Sequence, residues 1–179
     1  MTQMNQLEAW LAQEREIQSR LDANAGCGVA RPEQVAGRSG LETLQAMLRG
    51  ELPYPPIART LAFQLMEVGA GRAVFQGRPG PDHLNPMGGI HGGWYATLLD
   101  SALGCAVHTM MPPGRGYTTA ELGVNLVKAI GRNVQRVRAE GKVLHCGRQL
   151  ATAEARLVGP DGTLYAHATT TCLVFELPK

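Results

Sequence analysis

The sequence predicts an α+β domain in which one curved antiparallel sheet wraps a single apolar helix, with a helical extension ahead of it. Three observations lead there. From Trp94 to Val107 the only charged side chain is Asp100, and small or apolar residues occupy every face, so this run reads as a helix enclosed nearly all round. Four strand-like runs follow it, separated by turn signals and with no helix between them. Two more strand-like runs precede it, and the order β–β–α–β–β–β–β leaves the sheet one helix to wrap.

Taken in order, Leu7, Trp10, Leu11, Ile17 and Leu21 recur near helical spacing, which predicts a helix over Asn5–Leu21. Asp22 to Gly40, rich in glycine and interrupted by Pro32, reads as a linker. Gly40 to Gly50 is a short amphipathic helix closed by a glycine, and Pro53, Pro55 and Pro56 extend the chain beyond it. Residues 1–52 are thus expected to be a helical extension and residues 53–179 the sheet-and-helix domain. The extension could pack on the domain, cap a ligand mouth or extend a surface. No strand of the pattern precedes Ile57, so the domain is expected to fold without residues 1–50.

Ile57–Val68 reads as a strand, Gly69–Gly71 as a turn and Arg72–Gln76 as the hairpin partner. Pro79 to Ile90 holds too much Gly and Pro for helix or sheet. The central helix therefore starts abruptly near Ile90–Gly92, its unpaired N–H groups facing a glycine-lined space suited to partial negative charge. Met110–Gly114 stops it. The later strands are Tyr117–Ala129, Val134–Leu144, Gln149–Val158 and Thr163–Phe175. Alternation in Arg136–Glu140 and Ala151–Leu157 suits an antiparallel sheet wet on one face.

Composition narrows the function. A net charge of +2 with scattered acids and bases gives no case for nucleic acid or an anionic membrane. Cys27, Cys105, Cys146 and Cys172 show no paired spacing, which points to a reduced protein, and no signal peptide is expected of the polar start. A cytoplasmic location is expected. His83 and His91 join no ligand cluster, Ser101 and Cys105 have no histidine at a nucleophile's spacing, and the Gly-x-Gly patterns do not join a strand to a helix. Asp100 is the chemical anomaly: a carboxylate in an apolar helix needs partners, structural or catalytic.

The run Asn85-x-x-Gly88-x-x-His91-Gly92-Gly93, followed by Asp100, is similar to the signature of PaaI-like acyl-CoA thioesterases of the hotdog fold. The resemblance covers about residues 57 to 175. It implies that Asp100 is nucleophile or general base, that the Gly92 N–H polarises the thioester carbonyl, and that Asn85 positions water or the carboxylate. It places Thr118 or Thr119 as the hydroxyl that assists the carboxylate, while His91 could orient the loop or touch the thioester. Gly88, Gly93, Lys128 and Arg148 are the expected substrate contacts; Arg132, Arg136 and Arg138 are further candidates for the phosphates of coenzyme A.

On their own, the glycines could serve only close packing, His91 could be structural and Asn85 an ordinary turn residue. Gly92 and Asp100 lie eight residues apart on one helix, roughly 12 Å along its axis. Both cannot reach one carbonyl within a chain, so either the motif is not a catalytic pair or the donor of one subunit faces the carboxylate of another; the resemblance implies the second, in a homodimer or a dimer of dimers. No cofactor is implied; coenzyme A enters as part of an acyl-CoA substrate. Two other readings stay open at this level: a hydratase or dehydratase using a His91–Asp100 pair, and a non-catalytic acyl-CoA sensor. Residues 1–50 lack the basic recognition helix of a DNA-binding part.

Overall fold

The computed structural model describes residues 3–178. Four helices come first: α1 (Gln3–Ala23), α2 (Pro32–Val35), α3 (Gly40–Leu48) and α4 (Pro56–Thr60). A hairpin of β1 (Phe63–Gly69) and β2 (Arg72–Gly77) follows, then the central helix α5 (Gly92–His108). The chain closes with β3 (Arg115–Leu126), β4 (Val137–Cys146), β5 (Leu150–Val158) and β6 (Leu164–Glu176). The sheet runs β1-β2-β4-β5-β6-β3, every pair antiparallel. The predicted α+β class, with one curved sheet around one helix, is the observed architecture. No helix of the described residues is long and apolar enough to cross a membrane.

Small side chains let the sheet close on the helix. Ala139, Ala151, Ala153, Ala155, Ala166 and Ala168 line its inner face, all buried, against Leu98, Leu99, Ala102, Leu103 and Ala106. At Gly141 a Cβ would overlap the backbone of Ala102, so strand and helix meet there main chain to main chain. In β5 the predicted alternation holds: Ala151, Ala153, Ala155 and Leu157 point inward while Glu154 and Arg156 face water. The enclosure is incomplete on one side, where His91 and Gly93 are exposed and Ala96, Thr97, Asp100 and Ser101 half-buried.

The helical extension packs on the domain. Helix α1 lies on the outer face of the sheet, where Ile17 and Leu21 bury Met66 and Val74 in a second core. Arg138 is trapped beneath it, its guanidinium 4.5 Å from the centre of the Trp10 ring and bonded to Gln13 (2.7 Å), Gln76 (2.8 Å) and Glu67 (3.3 Å). Helix α3 starts at a capping box formed by Ser39 and Glu42, and its Leu44 belongs to the central core. Gly40 donates its N–H to the Met111 carbonyl (2.9 Å), and a Cβ there would overlap the carbonyl of His108.

Some expectations shift: β3 spans Arg115–Leu126 rather than Tyr117–Ala129, and Pro81–His83 form a 3-10 turn inside the glycine- and proline-rich loop. Residues 57–60 are helical rather than strand: Pro56 occupies the first turn of α4, where its fixed φ and missing N–H are harmless, and Leu61 bonds back to Ile57 (3.0 Å). Ala62, at φ 50°, then redirects the chain into β1. The linker contains one helical turn, α2. Strand β4 starts at Val137 rather than Val134, because the Val134 N–H is held by the Gly131 carbonyl in a turn (3.0 Å).

Candidate active site

The site is built at the start of α5. The loop before it is anchored by His83, which is buried, stacks on Trp94 at 5.5 Å and accepts the Gly80 N–H on Nδ1 (3.1 Å). Burial holds this imidazole below its ordinary pKa, in keeping with a neutral acceptor. The sequence marked His83 only as an unsupported metal ligand; its role as an anchor depends on Trp94, eleven positions away in the chain and invisible to local spacing.

Asn85 folds the motif loop on itself. Its Oδ1 accepts the N–H groups of Met87 (3.0 Å) and Gly89 (3.1 Å), while its backbone carbonyl takes the N–H of Gly88, which sits at φ 78°. His91 is the N-cap: its Nδ1 accepts the Gly93 N–H (2.9 Å) and its carbonyl the Trp94 N–H (2.9 Å). Gly92 is left as the first helical residue, and its N–H has no partner among the described residues. The loop therefore consumes the donors around Gly92 and leaves that one free. A Cβ at Gly92 would come within 3.0 Å of the tip of Leu126.

Two turns along α5, Thr119 Oγ1 donates to Asp100 Oδ1 (3.2 Å). Of the two threonines in question, Thr119 pairs across the ladder with buried Cys172, whereas Thr118 pairs with exposed Leu173 on the outer face. Alternation along β3 thus brings Thr119 to the carboxylate and turns Thr118 away. One turn further, Tyr117 closes over Gly104 and leans on His108, ring centres 5.7 Å apart. Burial raises the Tyr117 phenol, lowers the His108 imidazole and pushes the Cys105 thiol up to about 12. A thiol held protonated is no nucleophile, and Ser101 spends its hydroxyl on the Thr97 carbonyl (2.8 Å).

The remaining basic candidates divide. Arg138 lies under α1 and Arg136 is paired with Glu14 (2.7 Å), so neither is free for a phosphate. Lys128 is exposed, just past the Leu126 end of β3, and Arg132 lies beside Gly88. Arg148 is exposed in the β4–β5 turn, next to Leu150, whose cross-strand row runs through Leu173 to Thr118. One end of β3 therefore carries Gly92, Gly93, Asn85, Gly88 and Lys128, and the other carries Asp100, Thr119 and Arg148. The structure does not bring the two groups together within one chain.

Residues 87–166 match the model of the thioesterase superfamily, a span that opens inside the motif loop and runs into β6. No curated protein matches the chain. Among solved structures, a thioesterase family protein from Silicibacter pomeroyi is 26% identical with a TM-score of 0.62, spanning 68% of this chain and 90% of that one. A mutant of the phenylacetic acid degradation protein PaaI from Thermus thermophilus is 28% identical with a TM-score of 0.60, over 66% and 97% of the two chains. A hypothetical thioesterase from Streptococcus pneumoniae, solved with coenzyme A, shares the fold at 24% identity and a TM-score of 0.60, over 69% and 93%. Residues 87–166 are thus similar to the thioesterase superfamily, and the chain carries the hotdog fold, with PaaI among its structural neighbours.

Proposed function

We propose that the protein is an acyl-CoA thioesterase that acts as a homodimer, with each site shared between two chains. The observation that carries this is the free Gly92 N–H at the start of α5, with the Thr119-supported Asp100 two turns on, along one incompletely covered side of the helix. The pair is about 12 Å apart along the axis. Strand β3 is an edge strand with one side unpaired among the described residues. An edge of that kind is a template for another strand. Antiparallel pairing of two β3 strands about a two-fold near Leu122–Gly123 sets Leu126, and with it Gly92, opposite Thr119 and Asp100 of the second copy.

In such a site the thioester oxygen takes the Gly92 N–H. Asp100 of the facing chain removes a proton from water as it attacks, or attacks the carbonyl itself and is released by water. Either way the C–S bond breaks and the thiolate leaves protonated. Asn85 holds the loop that presents Gly92, and Thr119 holds the carboxylate. Lys128 of one chain and Arg148 of the other flank the site as candidate partners for the coenzyme A tail. The reaction uses no cofactor. A hydratase would need a His91–Asp100 pair for proton transfer at carbon, and the assay below separates the two reactions.

The test is thiol release over short, long and aryl acyl-CoAs, with hydration of crotonyl-CoA run in parallel. Hydrolysis that Asp100→Asn abolishes, with coenzyme A binding retained, is expected; Asn keeps the shape but cannot act as base or nucleophile. Hydration without hydrolysis, or binding without turnover of any ester, would overturn the assignment.

A further inference from the structure

A second cleft lies on the opposite side of the sheet. Helix α1, the corner between α4 and β1, and the outer face of β1 and β2 enclose a space of about 340 Å³, the room of roughly eleven waters. Its lining includes Glu14, Arg59, Ala62, Gln64, Gln76 and Arg78.

Two of the three charged groups of this cleft are cations, and Gln18 and Tyr54 also line it. Glu14 is its one carboxylate, and its Oε2 is held by Arg136 (2.7 Å) and by the Gln76 amide (2.9 Å). Arg59 and Arg78 are exposed, and neither has a carboxylate partner among the described residues. The Gln64 Nε2 is buried and lacks any acceptor. An unmet buried donor is costly, and here it lines the same wall as two unpaired guanidinium groups. Ala62, a non-glycine residue at φ 50°, sits at the corner and gives its carbonyl to the Arg78 N–H (2.9 Å). Such conformations persist where the surroundings hold them.

Two unpaired guanidinium groups and one unmet amide donor suit a ligand rich in acceptors. We infer that this cleft binds a phosphate-bearing small molecule, held by Arg59 and Arg78 and by the Gln64 amide, at a site separate from the thioester. Guanidinium groups suit the phosphate oxygens, and the volume leaves space for an ester's organic part. Phe63 and Leu65, the neighbours of Gln64 on β1, belong to the core around α5, so the Gln64 side chain lies on the other face of the sheet from Asp100, and the cleft opens at that edge beside Ala58 and Phe63.

The experiment is calorimetric titration of the full chain with inorganic phosphate. One saturable site per chain is expected, weakened about tenfold or more in the Arg59→Ala/Arg78→Ala double variant and unchanged in Asp100→Asn. Gln64→Met should weaken binding while the thermal midpoint holds, since it removes an unsatisfied donor and keeps the bulk. No saturation up to about 10 mM phosphate, or binding indifferent to the double variant, would overturn the inference. The substrate's own phosphate is separated by comparing acyl-CoA with acyl-3′-dephospho-CoA. If the double variant erases a wild-type preference for the 3′-phosphate, the cleft belongs to the substrate and the separate site falls. An unchanged preference supports it.

Discussion

Gly92→Pro removes one hydrogen-bond donor and nothing else that the fold needs. Gly92 is the first residue of α5, a position where proline's fixed φ is already helical and its missing N–H breaks no intrahelical bond. His91 before it has ψ 136°, the extended conformation that a following proline demands. An added Cβ meets only the tip of Leu126, 3.0 Å away, a methyl that can rotate aside. Gly92→Ala meets that same methyl but keeps the N–H, so the ratio of the two variants isolates the donor. Loss of one oxyanion donor costs about 3–4 kcal/mol in the transition state, or about 10²–10³ in kcat. We therefore expect thiol release by Gly92→Pro to fall by roughly two to three orders of magnitude relative to Gly92→Ala, with thermal midpoints nearly equal. Equal turnover by the two variants would refute the role of the Gly92 N–H.

The other predictions concern the carboxylate, pH and the extension. Thr119→Val should lower kcat roughly tenfold, the lower end for a hydrogen bond to a charged group, because the bond to Asp100 is long at 3.2 Å and exposed; Thr118→Val should leave it nearly unchanged, and the reverse ranking would contradict the assignment. His83 and His108 are both held below the ordinary imidazole value of 6.5 by burial. Their contribution to stability is complete above that value and lost as pH falls through the folded pKa values, so the urea midpoint should drop between pH 7 and pH 5; a flat profile would count against buried neutral imidazoles. Removing residues 1–24 strips Trp10, Ile17 and Leu21, worth about 1.5–3 kcal/mol each, and should lower the melting temperature while the sheet survives. Removing residues 1–50 also takes Leu44 from the central core, so a molten or insoluble product is now expected in place of a freestanding domain; dispersed amide resonances from residues 51–179 would restore the simpler expectation.

What could be read from the sequence was whatever local pattern carries. The unbroken apolar face of Trp94–Val107 and the alternation of Ala151–Leu157 announce a wrapped helix and a one-sided sheet without tertiary information. The helix start was legible too, since glycines and prolines before Gly92 exclude regular structure. The strand expected from Ile57 started too early because a short apolar run fits strand and helix alike, and only the bond from Leu61 to Ile57 decides. The choice between Thr118 and Thr119 turns on the register of β3 against β6, a non-local quantity. Arg138 looked like a solvated sheet residue because its cover, Trp10 and Gln13, comes from the far end of the chain. Asp100 was expected to be enclosed; within one chain it is half-buried, and its remaining cover falls to a second copy in the proposed dimer.

That sharing is the central claim, and mixing two dead variants tests it most directly. Gly92→Pro and Asp100→Asn are each expected to be nearly inactive as homodimers, because every site then carries one lesion. In a mixed dimer the two-fold places both lesions in one site and leaves the other intact. The two variants are co-expressed with different tags, the mixed species is purified through both, and thiol release is measured. The shared site predicts about half of wild-type turnover per mixed dimer. Were donor and carboxylate to act within one chain, each site would keep one lesion, and the doubly tagged dimer would be as inactive as its parents.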